Sequence, residues 1–207
     1  MAPAPLHILA VIGSLKSQSV TRVVLRHIAG ELVTRGCTVD VLDLLDQPLT
    51  LYNPETAHKA EAFPALQARV EKADVYVLGT PDYHGSISSV LKNFLDHFWH
   101  EFAGKLFATV VASHEKGLTA TDQLRTVARQ CYAWSLPYTV SCIDREDVQE
   151  GRVVSASLIK QRLDMLVRDV QVYGTIIAAQ RRADLAETGS GFMARHRKGG
   201  VVSQKES

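Results

Sequence analysis

The sequence predicts a doubly wound α/β fold, in which a five-stranded parallel sheet of order 2-1-3-4-5 carries helices on both faces. Short apolar runs rich in β-branched residues alternate with longer segments of helical period. Such alternation requires crossovers, and right-handed crossovers build a parallel sheet covered on both sides. The 207 residues, 46% of them hydrophobic and 22% charged, suffice for one domain of this kind.

Five apolar runs are the predicted strands. The first is almost continuously apolar and stops at Gly13, as expected for a strand buried on both faces. The second includes two aspartates and is predicted to be less enclosed. In chain order the strands are Leu6–Ile12, Thr38–Leu44, Val75–Gly79, Leu106–Ala112 and Tyr138–Ile143.

Apolar residues at three- and four-residue steps predict helices between and after these strands. The strongest pattern spans Ile87–Trp99, and residues 47–62, with two prolines and little period, indicate a surface connection. The other predicted helices are Val20–Leu32, Phe63–Lys72, Thr119–Trp134 and Ser155–Ala179.

One domain over residues 1–183 and a Gly-rich basic tail over 184–207 are predicted. The tail has four glycines after Ala183 and a basic cluster at Arg195–Lys198. Two interpretations are open: a mobile tail, or an arm that crosses to a partner subunit or contacts a cofactor phosphate.

Composition excludes several classes of protein. A net charge of +1 lacks the basic excess of a nucleic-acid binder. No apolar stretch approaches the roughly 20 residues of a membrane span, and the N-terminus is a poor signal peptide, so a cytoplasmic location is expected. The three cysteines, odd in number and without CxxC spacing, are predicted to be buried thiols in a reducing compartment.

The loop after the first strand is predicted to bind a phosphate. Residues 13–22 offer one glycine, four hydroxyls, two cations and the N-terminus of a helix. Backbone N–H groups and the helix dipole at such a point favour an anion. The loop matches neither GxGxxG nor GxxxxGK[ST], so a monophosphate fits better than a dinucleotide or Mg-nucleotide. Capping of the helix is the simpler alternative, but one hydroxyl would be enough for it.

The loop after the third strand is predicted to accept a flat heteroaromatic ring. Residues 80–88 combine turn formers with a tyrosine, a histidine and small residues. Gly85 permits a positive φ or the close approach of a ligand. The alternative is a turn that binds nothing. A metal site is a possible interpretation of three residues further on, His97, His100 and Glu101. The preferred interpretation is a packed helix with histidines on the border of its apolar face.

These two loops resemble the NADPH-dependent FMN reductase family. The family pairs a GS-x-R-x-x-S-x-N/T-R phosphate loop with a P-E-Y-N-G-S-x-x-x-x-L-K-N-x-x-D segment, and the chain carries GSLKSQSVTR and PDYHGSISSVLKNFLD. The element order over residues 6–180 is consistent with this family. The chain has Lys16, Asp82 and His84 where the family usually has Arg, Glu and Asn. Residues 113–117 also lack the paired glycines often found after the fourth strand.

The resemblance implies a flavodoxin-like fold, bound FMN and hydride transfer from NADPH through the cofactor to a small acceptor, with no catalytic protein residue. The acceptor would be free flavin, a quinone, an azo dye or a metal oxyanion, and His84 would have at most a minor role. The predicted phosphate contacts are Ser14, Lys16, Ser19, Val20, Thr21 and Arg22, and the ring contacts are Pro81, Asp82, Tyr83, His84, Gly85, Ser86 and Ser113.

A homodimer or homotetramer is also implied, with the helix after the second loop between subunits. Two other functions stay open. A flavodoxin-like electron carrier would typically be strongly acidic, and this chain is not. A flavin-free regulatory module would not need the hydroxyl-rich first loop.

Overall fold

A parallel sheet with the predicted strand order forms the centre of the molecule. The computed structural model describes residues 5–143, 146–154 and 158–196. Strands β1, β2, β3 and β5 are parallel, and β1 lies between β2 and β3. The strands are β1 (His7–Ile12), β2 (Thr38–Asp43), β3 (Val75–Tyr83), β4 (Ser86–Ile87), β5 (Leu106–Ala112), β6 (Trp134–Ser135), β7 (Val140–Cys142), β8 (Val148–Gln149) and β9 (Arg152–Val153).

The fifth position of the sheet differs from the single strand that the sequence predicts. Two short strands, β6 and β7, share the free edge of β5: β6 pairs with its first residues and β7 with its last. Pro137 lies between them, and a proline has no N–H to donate to a ladder. The helix before β6 ends at Gln130, and Trp134 already belongs to β6, so the predicted helix Thr119–Trp134 is too long at its C-terminal end.

In the described parts of the chain, five α-helices cover both faces of the sheet, as predicted. They are α1 (Val20–Thr34), α2 (Phe63–Lys72), α3 (Ser89–Asp96), α4 (Leu118–Gln130) and α5 (Leu158–Ala186). Helices α1 and α5 pack on one face, and α2, α3 and α4 pack on the other. Alternate residues of β1 supply both cores, with Ile8 and Ala10 facing α1 and Leu9 and Val11 facing the opposite layer.

Two hairpins are absent from the sequence-based prediction. Strand β3 continues four residues past Gly79 and turns back into β4, so that α3 begins only at Ser89. Strands β8 and β9 form a separate antiparallel pair. Residues 155–157, predicted as the start of the last helix, lie outside the described residues.

The described part of the predicted tail packs onto the domain. Helix α5 crosses the predicted boundary at residue 183 and ends at Ala186, and a 3-10 helix follows at Phe192–His196. Met193 is 2% exposed. A Cβ at Gly104 would come within 2.7 Å of its sulfur. Residues 197–207 lie outside the described part, so the proposal of an arm applies to them alone.

The three cysteines are free and buried, as predicted. Burial raises the pKa of the Cys131 thiol to about 11 and that of Cys142 to about 12. Both thiols are therefore protonated near neutral pH. Among the described helices, none combines the length and apolar character that a bilayer span requires.

Candidate functional site

The end of β1 lies close against β3, at the edge of the sheet where the candidate site lies. The N–H of Gly13 donates to the carbonyl of Gly79 at 2.8 Å. A Cβ at Gly13 would stand 2.6 Å from that carbonyl oxygen and 2.7 Å from Cβ of Leu91, so no larger residue fits. Strand order reverses at this point of the sheet, where ligands of open α/β folds bind.

Hydroxyl groups line the loop between β1 and α1. Ser19 caps α1, with its Oγ accepting from the N–H of Arg22 at 3.1 Å. Ser14 is 2% exposed, and its Oγ accepts from the N–H of Lys16. Thr21 is also buried, and its Oγ1 has no hydrogen-bond partner among the described residues. A buried hydroxyl without a partner is costly, and Thr21 is one of the residues that line the cleft.

Arg22, which the sequence analysis predicts as a phosphate contact, is not among the residues that line the cleft, and its guanidinium is directed at the chain itself. Its Nε donates to Asp43 at 2.7 Å, and one terminal nitrogen donates to the same carboxylate at 2.9 Å and to the Ser14 carbonyl at 3.1 Å. The other terminal nitrogen donates to the carbonyls of Lys16 and Ser17. All five N–H groups of the guanidinium are thereby engaged by the chain itself.

Asp43, which the sequence analysis did not single out, holds Arg22 in place beneath the loop. It ends β2 and is 4% exposed beneath the loop. Burial raises the pKa of its carboxyl, but the hydrogen bonds from Arg22 and from the N–H of Leu45 outweigh this and hold the pKa below its ordinary value. Asp43 is therefore ionised at neutral pH. The only sequence signal is an aspartate at the end of the strand that neighbours β1.

Lys16 is the cation of this loop that remains available to a ligand. It is exposed, and it forms no ion pair within the described parts of the chain.

The predicted ring-binding loop is a tight β-hairpin. Tyr83 pairs with Ser86, and the two residues between them have positive φ, 55° at His84 and 76° at Gly85. These are the values of a two-residue type I′ turn, which favours Asn-Gly. The side-chain oxygen of Gln123 on α4 holds the hairpin, because it accepts from the N–H of Ile87 at 3.0 Å.

A third loop, after β5, contacts the hairpin. Oγ of Ser113 donates to Oδ2 of Asp82 at 3.1 Å and accepts from the N–H of Glu115 at 3.2 Å. The other carboxylate oxygen, Oδ1 of Asp82, is buried and has no partner among the described residues.

These three loops enclose a cleft of about 130 Å³. Its lining includes most of the predicted site residues; Ala112 and His114 are additional. The predicted residues that line it are Ser14, Lys16, Ser19, Val20, Thr21, Pro81, Asp82, Tyr83 and Ser113. Arg22 lies beneath the loop, and His84, Gly85 and Ser86 form the turn beside the cleft rather than its wall.

A second and larger cleft, of about 1030 Å³, lies between the first half of α1 and the β8–β9 hairpin. It is lined by side chains of α1 such as Arg26 and His27 and by Arg152 of the hairpin. The smaller cleft is the better candidate, because it lies at the carboxyl ends of β1, β3 and β5, where the strand order reverses.

The histidines considered for a metal have other contacts. Nδ1 of His97 lies 2.7 Å from the carbonyl of Asn93, and its ring packs against Tyr52 and Phe63. The ring of His100 lies against Trp99. Within the described ranges, no three His, Cys, Asp or Glu side chains come together in a way that would hold a metal ion.

Comparison with known proteins identifies the family. The family model described as NADPH-dependent FMN reductase matches residues 6–146, which include all three loops of the cleft. This chain belongs to the NADPH-dependent FMN reductase family. It is accordingly an NAD(P)H-dependent flavin oxidoreductase, with FMN and NADPH as its cofactors.

Curated relatives and solved structures agree with this family. An FMN-dependent NADPH-azoreductase of Staphylococcus haemolyticus is 29% identical over 146 residues, covering 67% of this chain and 77% of that protein. The azoreductase of Staphylococcus saprophyticus is 27% identical over the same length and shares. The flavoenzyme FerB of Paracoccus denitrificans superposes with a TM-score of 0.65 at 20% identity, over 79% of this chain and 96% of that one.

An apo NADH:FMN oxidoreductase, EMOB, superposes with a TM-score of 0.64 at 18% identity, over 81% of this chain and 89% of that one. At these identities the superpositions establish the flavodoxin-like fold.

Proposed function

We propose that this chain binds FMN in the cleft between the three loops. With NADPH as the reductant, it would reduce a small acceptor such as free flavin, a quinone or an azo dye. The observation that carries the proposal is that two residues lining one cleft, Thr21 and Asp82, each have a buried polar atom without a partner among the described residues, Oγ1 and Oδ1 respectively. When bound, FMN supplies the redox chemistry by accepting hydride and passing electrons to the acceptor.

The phosphate end of FMN fits the loop after β1. Hydroxyls of Ser14, Ser19 and Thr21 line the cleft there, and the exposed ammonium of Lys16 adds a positive charge. The first-turn N–H groups of α1, which the helix cannot use itself, favour an anion at the same place. Arg22 is proposed to position these groups rather than to touch the phosphate.

The ring end is proposed to lie along the hairpin. The enclosed part of the cleft is smaller than a whole mononucleotide, so the ring would extend over Tyr83, which is 53% exposed, and the turn at His84 and Gly85. Backbone N–H groups of that turn are preorganised donors that would favour negative charge on the ring. No side chain is assigned a proton transfer.

A second subunit is proposed to cover this open side, giving a homodimer or homotetramer. Support comes from the exposure of Tyr83 and from the exposed face of α3 beside the hairpin, which includes Lys92 and Asp96. A cytoplasmic location stays a prediction and is supported by the three free thiols.

Steady-state oxidation of NADPH by the FMN-loaded protein, with a panel of acceptors, tests the proposal. We expect oxidation that depends on both FMN and an acceptor, with free FMN, a quinone and an azo dye compared at equal concentration. A protein that binds FMN without oxidising NADPH would be an electron carrier. A protein that binds no FMN would contradict the proposal altogether.

A further inference from the structure

The cleft of about 1030 Å³ between the first half of α1 and the β8–β9 hairpin has no ligand in the function proposed above. Its volume is at the upper end of the range of about 300–1,000 Å³ that is usual for small-molecule sites. Its lining shares Ser19 and Val20 with the smaller cleft. A ligand in the larger cleft would therefore be a neighbour of the loop proposed to hold the FMN phosphate.

The hairpin that forms one wall of this cleft is anchored on the core. Val148 pairs with Val153, and both valines pack against the core cluster to which α1 and α5 contribute. Glu150 and Gly151, which connect the two strands, have positive φ of 47° and 72°, as in a two-residue type I′ turn. The pairing and the tight turn together fix the backbone of Arg152 in β9.

Two arginines, one on each wall of the cleft, are available to a ligand. The side chain of Arg152 is exposed and forms no ion pair within the described parts of the chain. Arg26 of α1 is 59% exposed and reaches Asp43 and Asp46 at 3.4 and 3.9 Å, and such exposed pairs are weak. Arg22 also lines the cleft, but the chain itself engages its guanidinium.

The other described residues of the lining carry little charge. Glu150, in the turn of the hairpin, is the one acidic residue among them, and Ser17 and Gln18 are exposed and polar. His27 lines the cleft, and its Nε2 is buried without a partner in the described chain. Burial and the nearby Lys160 ammonium lower the pKa of this imidazole from its ordinary value of 6.5. The ring is therefore mostly neutral near pH 7, and the positive charge of the cleft comes from the two guanidiniums.

We propose that this cleft binds a phosphate monoester, and that NADPH supplies it as the 2′-phosphate of its adenosine. This inference rests on the proposed function. A guanidinium is a planar fork of N–H donors that matches phosphate oxygens, and an arginine accommodates the 2′-phosphate in other dinucleotide-binding folds. NADH differs from NADPH only in lacking this phosphate. Arg26 and Arg152 would therefore be specificity-determining residues for the choice between the two nicotinamide cofactors.

Equilibrium titrations of the FMN-loaded protein with NADP⁺ and NAD⁺, followed by calorimetry, test the inference. These oxidised cofactors differ in the 2′-phosphate alone, and their binding is measured without turnover. We expect the wild type to bind NADP⁺ at least about tenfold more tightly than NAD⁺, as for hydrogen bonds between charged groups. Inorganic phosphate should compete with NADP⁺ and leave the binding of NAD⁺ unchanged.

Variants of the two arginines should change the binding of NADP⁺ alone. We expect Arg152→Gln to lower the affinity for NADP⁺ at least about fivefold and to keep that for NAD⁺ within about twofold of the wild-type value. The double variant Arg26→Gln/Arg152→Gln should bind the two cofactors within about twofold of each other. Arg129→Gln is the matched control, because Arg129 is exposed on α4, which packs on the opposite face of the sheet. Its preference for NADP⁺ should equal that of the wild type.

The results that would overturn the inference differ from those that bear on the proposed function. Equal binding of NADP⁺ and NAD⁺ by the wild type, or a preference that persists in the double variant, would overturn the inference and leave the proposed function intact. Binding of inorganic phosphate without competition against NADP⁺ would assign the cleft to a free anion and would also overturn it. Failure of the protein to bind FMN would contradict the proposed function and, with it, this inference.

Discussion

Arg22 donates every N–H of its guanidinium to the chain, although a cation beside a phosphate loop suggests a ligand contact. The sequence could predict the residue type and the loop but not the partner. Asp43 lies 21 positions away at the end of β2, and only the placement of β2 beside β1 brings it to Arg22 in α1. The hydroxyls of Ser14 and Thr21, by contrast, are local to the loop and were predictable from it.

The contact between Arg22 and Asp43 leads to a prediction about stability. Removal of one partner from a buried ion pair leaves the other without compensation, and this costs about 3–5 kcal/mol. We therefore expect Asp43→Asn and Arg22→Lys to lower the free energy of unfolding, Asp43→Asn by about 3 kcal/mol. Arg22→Lys should be harmful as well, because an ammonium cannot reproduce the bidentate fork. Urea unfolding measures both.

Arg26→Lys is the control for this pair. Arg26 also reaches Asp43, at 3.4 Å, but its side chain is 59% exposed, and exposed pairs contribute about 0–1 kcal/mol. The pH dependence follows from the lowered pKa of Asp43. Its contribution is present above the unfolded-state pKa of about 3.9 and is lost as pH falls through the lower folded-state pKa. The difference in the free energy of unfolding between the wild type and Asp43→Asn should therefore become smaller in that acid range. A difference that does not change with pH would argue against the ion pair.

At the scale of elements, the hairpin of β3 and β4 shows where sequence periodicity gives too little information. Its second strand has only two residues, so no alternation is visible, and the apolar pattern from Ile87 onward led to a helix that begins too early. Gly85 was correctly singled out as a position for positive φ. The positive φ of His84 could not be recognised without the two-residue turn.

His84 is expected to serve through its backbone. Asn is the residue that a type I′ turn favours at this position, whereas a β-branched residue is strained at positive φ. His84→Asn should therefore leave FMN affinity and the free energy of unfolding unchanged or slightly raised. His84→Val should lower the free energy of unfolding by about 1–2 kcal/mol.

Thermal unfolding of both His84 variants measures their stability, and titration with FMN measures their affinity for the flavin. If His84→Asn kept its stability but lost FMN affinity or NADPH oxidation, the imidazole itself would take part in the site, and the backbone interpretation would be wrong.

At the scale of the whole molecule, the strand order was predictable because alternating strands and helices leave few topologies once crossovers are right-handed. The two-layer core follows from it, with β1 contributing to both faces. The packing of Phe192–His196 was not predictable. It depends on the absence of a side chain at Gly104, nearly ninety positions earlier, where a Cβ would collide with Met193. No local sequence pattern indicates this contact.

The central claim is that the cleft between the three loops binds FMN, and Thr21 tests it most directly. Thr21→Val keeps the side-chain shape and replaces a buried hydroxyl, unpartnered in the described chain, with a methyl group. Such a change should leave the protein equally or more stable, whereas a lost hydrogen bond to the phosphate should weaken FMN binding about tenfold or more. Thr34→Val, at the exposed end of α1, is the control.

The measurement is an equilibrium titration of FMN against the wild type and both threonine variants, with the melting temperature of each recorded in parallel. The account predicts weaker binding in Thr21→Val alone, with an undiminished melting temperature. Equal FMN affinity in Thr21→Val and the wild type, or no binding by the wild type, would contradict it.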